Sequence, residues 1–362
     1  MPEKNIIDAL NDAINLANKF RYCNDKKYST PLTEELNLNR TRVLFSHNYL
    51  KISKQVTPAL SNCLNNVFDN LNIDSNNIDA YIYPSHDIQA ECLAAGHGDC
   101  IIRFSSGLID LLDDKEIEFV AGHEIAHFLL RHHGCKDAGN ESAEYYINKR
   151  AQELSADRLG YISCNSLDVA LRALMKTMSG LTSKHLRFDI SSFIDQIRTA
   201  DNINVSSGFE VTSTHPSILL RCRALLWFSL VYDKNHENVT SDELKKIDVM
   251  IKNDMDKYVD KASRILIDEA KEQVKFWSIV YKIISIGAFT KSEQEKILLE
   301  FGDDKLESLK NLLRNLPKNA VEEDISKRLQ EAKKDLYEIA PTNYNDDLNK
   351  IDKYISSNYL GK

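Results

Sequence analysis

No stretch of this chain reaches the roughly 18 uninterrupted apolar residues that a membrane-spanning helix requires. The nearest candidates fail: Leu219 to Tyr232 is interrupted by Arg221 and Arg223, and Phe276 to Phe289 is short and carries Lys282. Both read as buried or amphipathic helices. A secretion signal is also missing, because MPEKNIIDALNDAINL has acidic residues where such a signal has its apolar stretch. The seven cysteines, at 23, 63, 92, 100, 135, 164 and 222, form no CxxC pair. An odd number without a secretion signal argues for reduced thiols and a cytoplasmic protein. Positive charge is in deficit, with 46 basic against 54 acidic side chains and a net charge of -8. Such a surface repels a phosphate backbone, so nucleic acid is not the expected partner. What remains is ordinary globular usage, 43% hydrophobic and 28% charged over 362 residues, which excludes disordered, collagen-like and small disulfide-scaffold classes. At about 100–200 residues per domain, the length favours two domains.

Helical spacing of Ile6, Ile7, Leu10, Ile14, Leu16 and Phe20 predicts a leading helix that ends in the polar NDKKYSTP. VTPALSNCLNNVFDNLN repeats the pattern with Pro58 near its start, and NIDAYIYP and CIIRF read as short strands. HDIQAECLAAGHGD between them is ambiguous. Asp113 is a helix N-cap, Glu116 completes a capping box, and Gly134 is the expected stop after His132 and His133. Further helices are expected over 142–161 and DVALRALMKTM, followed by a Ser/Thr/Asn-rich loop from Thr199 to Thr214 and a helix opened by Pro216. After YDKNHENVTS the chain is Lys/Glu/Asp-rich and helical to its end, so the expected division is 1–44, 45–235 and 240–362.

The chemistry concentrates in His123-Glu124-Ile125-Ala126-His127, an HExxH sequence inside the helix that starts at Asp113. Histidines four apart share one helical face and can hold one zinc through ring nitrogens, with Glu124 directed at an activated water. Glu153 follows in Glu153-Leu154-Ser155-Ala156-Asp157, after a connector long enough to lay a second helix beside the first. It can complete a His-His-Glu set that leaves a fourth position open for catalysis. Asp157, one turn on, can accept the second ring N–H of a ligating histidine. Ala156 permits close helix approach.

Taken in order, HEIAH, ELSAD and THP followed by Arg221 resemble the M48 zinc metallopeptidases, the Ste24/HtpX-like gluzincins, over roughly residues 45–230. The resemblance implies an α+β, mainly α-helical fold, a minigluzincin-like core with a small sheet; it does not cover the C-terminal all-helical domain, which reads as a generic helical bundle with weak similarity to TerB-like modules in FWSIVYKIISIGAFTKSEQEKILLEFG. It implies one Zn2+ per chain held by His123, His127 and Glu153, with Glu124 as general base. His215 would stabilise the oxyanion, and Arg221 would brace the glutamate-bearing helix. A strand preceding the first motif would take the substrate by backbone pairing, which places Ile101, Ile102, Arg103 and Phe104 at an exposed edge. His132 and His133 suit a helix C-terminus, while Cys92, His97 and Cys100 fall short of the four ligands of a structural zinc site and read as buried thiols where cysteine.

The expected function is a zinc metalloendopeptidase acting on cytosolic proteins or peptides, without a membrane span. A latent or catalytically silent client-binding protein, with a regulatory partner acting through the C-terminal helices, is the alternative expectation.

Overall fold

Residues with branched or aromatic side chains at Ile78–Tyr83 and Cys100–Ser105 form two parallel strands, β2 and β4, at the centre of a small sheet. The computed structural model describes residues 6–25, 38–74, 76, 78–94, 99–132, 141–189, 191–192, 195, 213–287, 289–317 and 320–359. These form two compact units, one from residues up to 132 together with 148–259, the other from 141–147 together with 260–359.

In the first unit the chain order is α1 (Ile6–Lys19), α2 (Leu38–Asn48), β1 (Leu50–Lys51), α3 (Pro58–Asn70), β2, β3 (Ala90–Ala94), β4 and α4 (Ser106–Leu111). There follow α5 (Asp114–Leu129), α6 (Ala143–Cys164), α7 (Leu167–Ser179), α8 (Ile218–Asn235) and α9 (Ser241–Tyr258). The four strands lie in the order β1-β2-β4-β3, with β1 antiparallel to β2 and β3 antiparallel to β4. Cys100, Ile102 and Phe104 enter one core with Ile117, Ile125 and Leu129 of α5, whereas Ile101 on the opposite face packs with Leu38, Phe45 and Tyr81. This alternation follows from the two-residue period of a strand.

β4 is therefore paired on both sides, and the expected edge at Ile101, Ile102, Arg103 and Phe104 is corrected to β3. The ambiguous HDIQAECLAAGHGD segment supplies this outer strand. Among the described residues, no strand pairs with the far side of β3. Its approach is clamped by the hydroxyls that follow β4. Ser105 Oγ accepts from Gln89 N (3.1 Å) and donates to Asp87 O (2.5 Å), while Gly107 N donates to Ser85 O (2.8 Å). A Cβ on Gly107 would stand 2.7 Å from His86 O, so only glycine admits the strand connection this close.

α5 begins as its sequence predicts, with Asp113 and Glu116 forming a reciprocal capping box. Buried Glu116 also accepts from Lys176 of α7 (2.5 Å). The helix ends earlier than the expected stop at Gly134, which lies outside the described residues. Arg131 takes φ 59° and His132 N donates to His127 O (2.9 Å), a Schellman turn with arginine where glycine is usual. At the other end of the site, Ser217 caps α8, so Pro216 sits one residue before the cap rather than inside the helix.

The second unit holds α10 (Lys261–Ser285), α11 (Lys291–Phe301), α12 (Asp303–Asn315), α13 (Val321–Ile339) and α14 (Tyr344–Tyr359) around Val274, Ile279, Ile297, Ile325 and Leu336. It contains no strand among the described residues. The first turn of α6 belongs to it through Glu144, which accepts from Thr342 N at 2.9 Å. No helix among the described residues is long and apolar enough to cross a membrane.

α5 and α6 cross where Gly122 meets Gly160 and Ser163. A Cβ at Gly122 would lie 2.1 Å from Ser163 Oγ and 3.2 Å from the Gly160 Cα, and one at Gly160 would lie 2.8 Å from Phe119 O. Gly122→Ala is expected to destabilise the protein by about 1–3 kcal/mol through overpacking. Adding Ser163→Gly should recover part of the loss in urea unfolding; no loss in the single variant would refute the close crossing.

Candidate metal centre

Immediately after Gly122, the α5 face that meets α6 presents His123 and His127, one helical turn apart. α6 brings Glu153 opposite them. His123 Nε2 and His127 Nε2 are 3.2 Å apart, and they lie 3.4 and 3.5 Å from Glu153 Oε2 and Oε1 respectively. Ligand bonds of 2.0–2.1 Å in a tetrahedral zinc site imply ligand-to-ligand edges of about 3.3 Å. The three nearest-atom separations are of that order, with one histidine facing each oxygen of the Glu153 carboxylate. Glu153 Oε2 is buried without a hydrogen-bond partner, an orphaned acceptor directed at the same point. Among the described residues this is the group whose donor atoms converge as a metal requires, and two imidazoles with a carboxylate suit zinc.

Both histidines are held from behind. His123 Nδ1 meets Asp157 Oδ1 at 3.1 Å, and Arg221 grips the same carboxylate with two bonds of 2.6 and 2.8 Å. With Nε2 turned to the position a metal would take, the hydrogen that a ligating His123 would keep is on Nδ1, where it is donated to Asp157. His127 Nδ1 meets His132 Nδ1 at 2.7 Å, and His132 Nε2 meets Asp25 Oδ2 at 3.0 Å. Helix periodicity does not point to His132, which lies five residues beyond His127 and returns only through the Schellman turn. Asp25 lies 107 positions from His132, so spacing within the motif carries no sign of it.

Electrostatically, the centre is a buried cluster of paired charges. Burial alone would raise Glu153 and Asp157, but the charges and hydrogen bonds of His123 and Arg221 hold both below the usual carboxylate range. Burial would lower His123, yet its bond to Asp157 and the nearby Glu153 carboxylate hold it up at about 10. Glu124 differs: burial dominates and pushes its carboxyl up to about 7, with Glu153 and Glu91 adding to the shift against His123 and Arg221. A carboxyl tuned near neutrality is suited to taking and returning a proton.

His215 reaches the centre from the segment before α8, with Nε2 3.5 Å from Glu153 Oε2 and a largely exposed ring. Thr214 Oγ1 contacts its Nδ1 at 2.9 Å, and buried Arg150 of α6 donates to Ser213 O at 2.7 Å. Most of the expected Thr199–Thr214 loop lies outside the described residues. A cavity of about 530 Å³ opens beside His215, lined by Ile88, Thr177, Met178, Ile218 and Arg221. Ile101, Ile102, Arg103 and Phe104 do not join this group; Arg103 instead pairs with Glu91 and lies over the rings of Tyr83 and Phe45, 5.0 and 5.3 Å from their centroids. Cys92 and Cys100 are buried thiols in the core, and His97 and His133 lie outside the described residues.

Arg221→Met would leave Asp157 buried without its guanidinium. Urea unfolding of the metal-free variant should show a loss of about 3 kcal/mol or more; a loss under about 1 kcal/mol, typical of an exposed pair, would contradict the supporting role.

Comparison with known proteins agrees with this geometry. The model of peptidase family M48 matches residues 54–147 and 142–227. Metalloprotease LoiP of Escherichia coli is 30% identical over 107 residues, 30% of this chain and 37% of that protein. Metalloprotease YcaL of the same organism is 33% identical over 87 residues, 24% of this chain and 29% of that protein. The chain thus spans about a third of the length of these curated relatives. Through residues 54–227, the chain matches the model of peptidase family M48 and is similar to these two metalloproteases.

Proposed function

We propose that the protein is a zinc-dependent endopeptidase in which His123, His127 and Glu153 hold one Zn2+. The observation that carries this reading is the convergence of the two imidazole Nε2 atoms, 3.2 Å apart, on the two oxygens of the Glu153 carboxylate at 3.4 and 3.5 Å, next to a glutamate raised to about 7. Zinc, when bound, supplies the Lewis acidity that lowers the pKa of a water and polarises the scissile carbonyl.

The chain's own residues do the rest. Glu124 accepts a proton from the attacking water and passes it to the leaving amine, a two-way transfer that a carboxyl near pKa 7 performs without a large uphill step. His215 donates from Nε2 to the oxyanion that forms at the carbonyl. For that donation its Nδ1 must be the acceptor, and the Thr214 hydroxyl at 2.9 Å is placed to donate to it. The peptide lies along the outer edge of β3, held by main-chain bonds that place little demand on its sequence. An edge strand with no further strand paired to it among the described residues supports cleavage within a chain rather than at its end. Free thiols at Cys23, Cys63, Cys92, Cys100, Cys164 and Cys222 support substrates in a reducing compartment.

Glu124→Gln should keep stoichiometric zinc while casein cleavage falls about 10²–10⁴-fold. His215→Phe should also keep zinc and lose about 10²–10³ in kcat. Zinc content by atomic absorption and chelator-sensitive digestion check both; full cleavage by Glu124→Gln would reject the mechanism.

A further inference from the structure

The polar chain behind His127 leaves the peptidase match altogether. Asp25 lies in the turn after α1, upstream of the first matched residue at 54. It is buried, as is His132. Were His127 to hold zinc through Nε2, its ring hydrogen would be on Nδ1 and be donated to His132 Nδ1 across 2.7 Å. His132 would then carry its own hydrogen on Nε2 and donate it to Asp25 Oδ2 across 3.0 Å. Asp25 Oδ1 accepts from Arg21 Nη1 at 3.0 Å, and Arg21 Nη2 closes the circuit on Leu130 O, at the C-cap of α5, at 2.7 Å.

The turn bearing Asp25 is itself built onto α6 and α9. Tyr22 N donates to Ser155 Oγ (3.0 Å), Phe20 O accepts from Arg158 (3.2 Å), and Cys23 N donates to Asp248 (3.0 Å). Ser155 and Arg158 flank Asp157 on the helix that carries Glu153. Arg131 adopts a left-handed conformation that costs a non-glycine residue about 1–2 kcal/mol. That conformation is what returns His132 to His127. A buried carboxylate, a buried imidazole and a strained backbone thus converge on one ring nitrogen.

We propose that α1 and its following turn complete the metal centre, Asp25 and His132 acting in series as positioning residues that fix the tautomer and orientation of His127. The two histidines are then braced differently, His123 by a carboxylate directly and His127 by a carboxylate through a second imidazole. This inference rests on the reading of His127 as a zinc ligand.

The test is zinc affinity of the full-length protein, measured by competition with a chromophoric chelator, alongside thermal unfolding of each metal-free variant. Asp25→Ala and His132→Leu should each weaken zinc binding about 10–100-fold in a folded protein. Because the two act in series, the double variant should be no weaker than the worse single one. His132→Gln, whose carbonyl can accept from His127 and whose amide can donate to Asp25, should recover most of the affinity. If the truncating variants do not fold, Asp25→Asn carries the test, since it keeps the shape and removes the charge. Unchanged affinity in folded variants, losses that add in the double variant, or a Gln variant no better than Leu would overturn the proposal. A wild-type chain that takes up no zinc would instead defeat the metalloprotease reading, and the relay with it.

Discussion

Two glycines set how closely α5 and α6 approach, and the metal centre exists only at that separation. Gly122 and Gly160 lie where a Cβ on either would strike the opposing helix, and Gly122 immediately precedes His123. A wider crossing would open the 3.4 and 3.5 Å gaps between the histidines and Glu153, and ligand atoms that far out could not share one ion. Close packing of backbone against backbone is thus converted into ligand geometry. Ala156 and Ser155 of α6 are likewise fully buried, and Ser155 accepts from Tyr22 N in the turn after α1.

That helix carries charge through an interior where isolated charge is costly. Glu153 and Asp157 lie beside Arg221, which balances part of their charge and leaves Glu153 turned toward the two histidines. Further along α6, Arg158 pairs with Asp248 of α9 while its guanidinium lies over Phe228 and Tyr22. Arg150 holds the segment before His215. Each of these side chains leaves one helix and fixes a different neighbour, so α6 organises the metal ligand, its support and the approach of His215 together.

The parts of this arrangement that obey helix periodicity were legible in the sequence. His123 and His127 at i and i+4, Glu153 and Asp157 on a second helix, and the Asp113–Glu116 capping box all follow from local rules. The sheet was less legible. CIIRF is the strongest strand signal, and its uniform burial belongs to a strand paired on both sides, whereas the true edge, Ala90–Ala94, has small and polar residues that resemble a loop. α2 had too weak a pattern to stand out from a connector. The Gly122–Gly160 contact and the His132–Asp25 pair depend on tertiary proximity, and no spacing rule spans the chain separation involved. Arg131 hid the end of α5, since arginine rarely occupies the left-handed position where glycine announces a stop.

The most direct test of the account is anomalous scattering at the zinc absorption edge from crystals of the full-length protein. A single peak about 2.1 Å from His123 Nε2, His127 Nε2 and a Glu153 carboxylate oxygen is the expected result. Absence of density at that point after zinc loading, or a peak bound by other residues, would contradict the assignment.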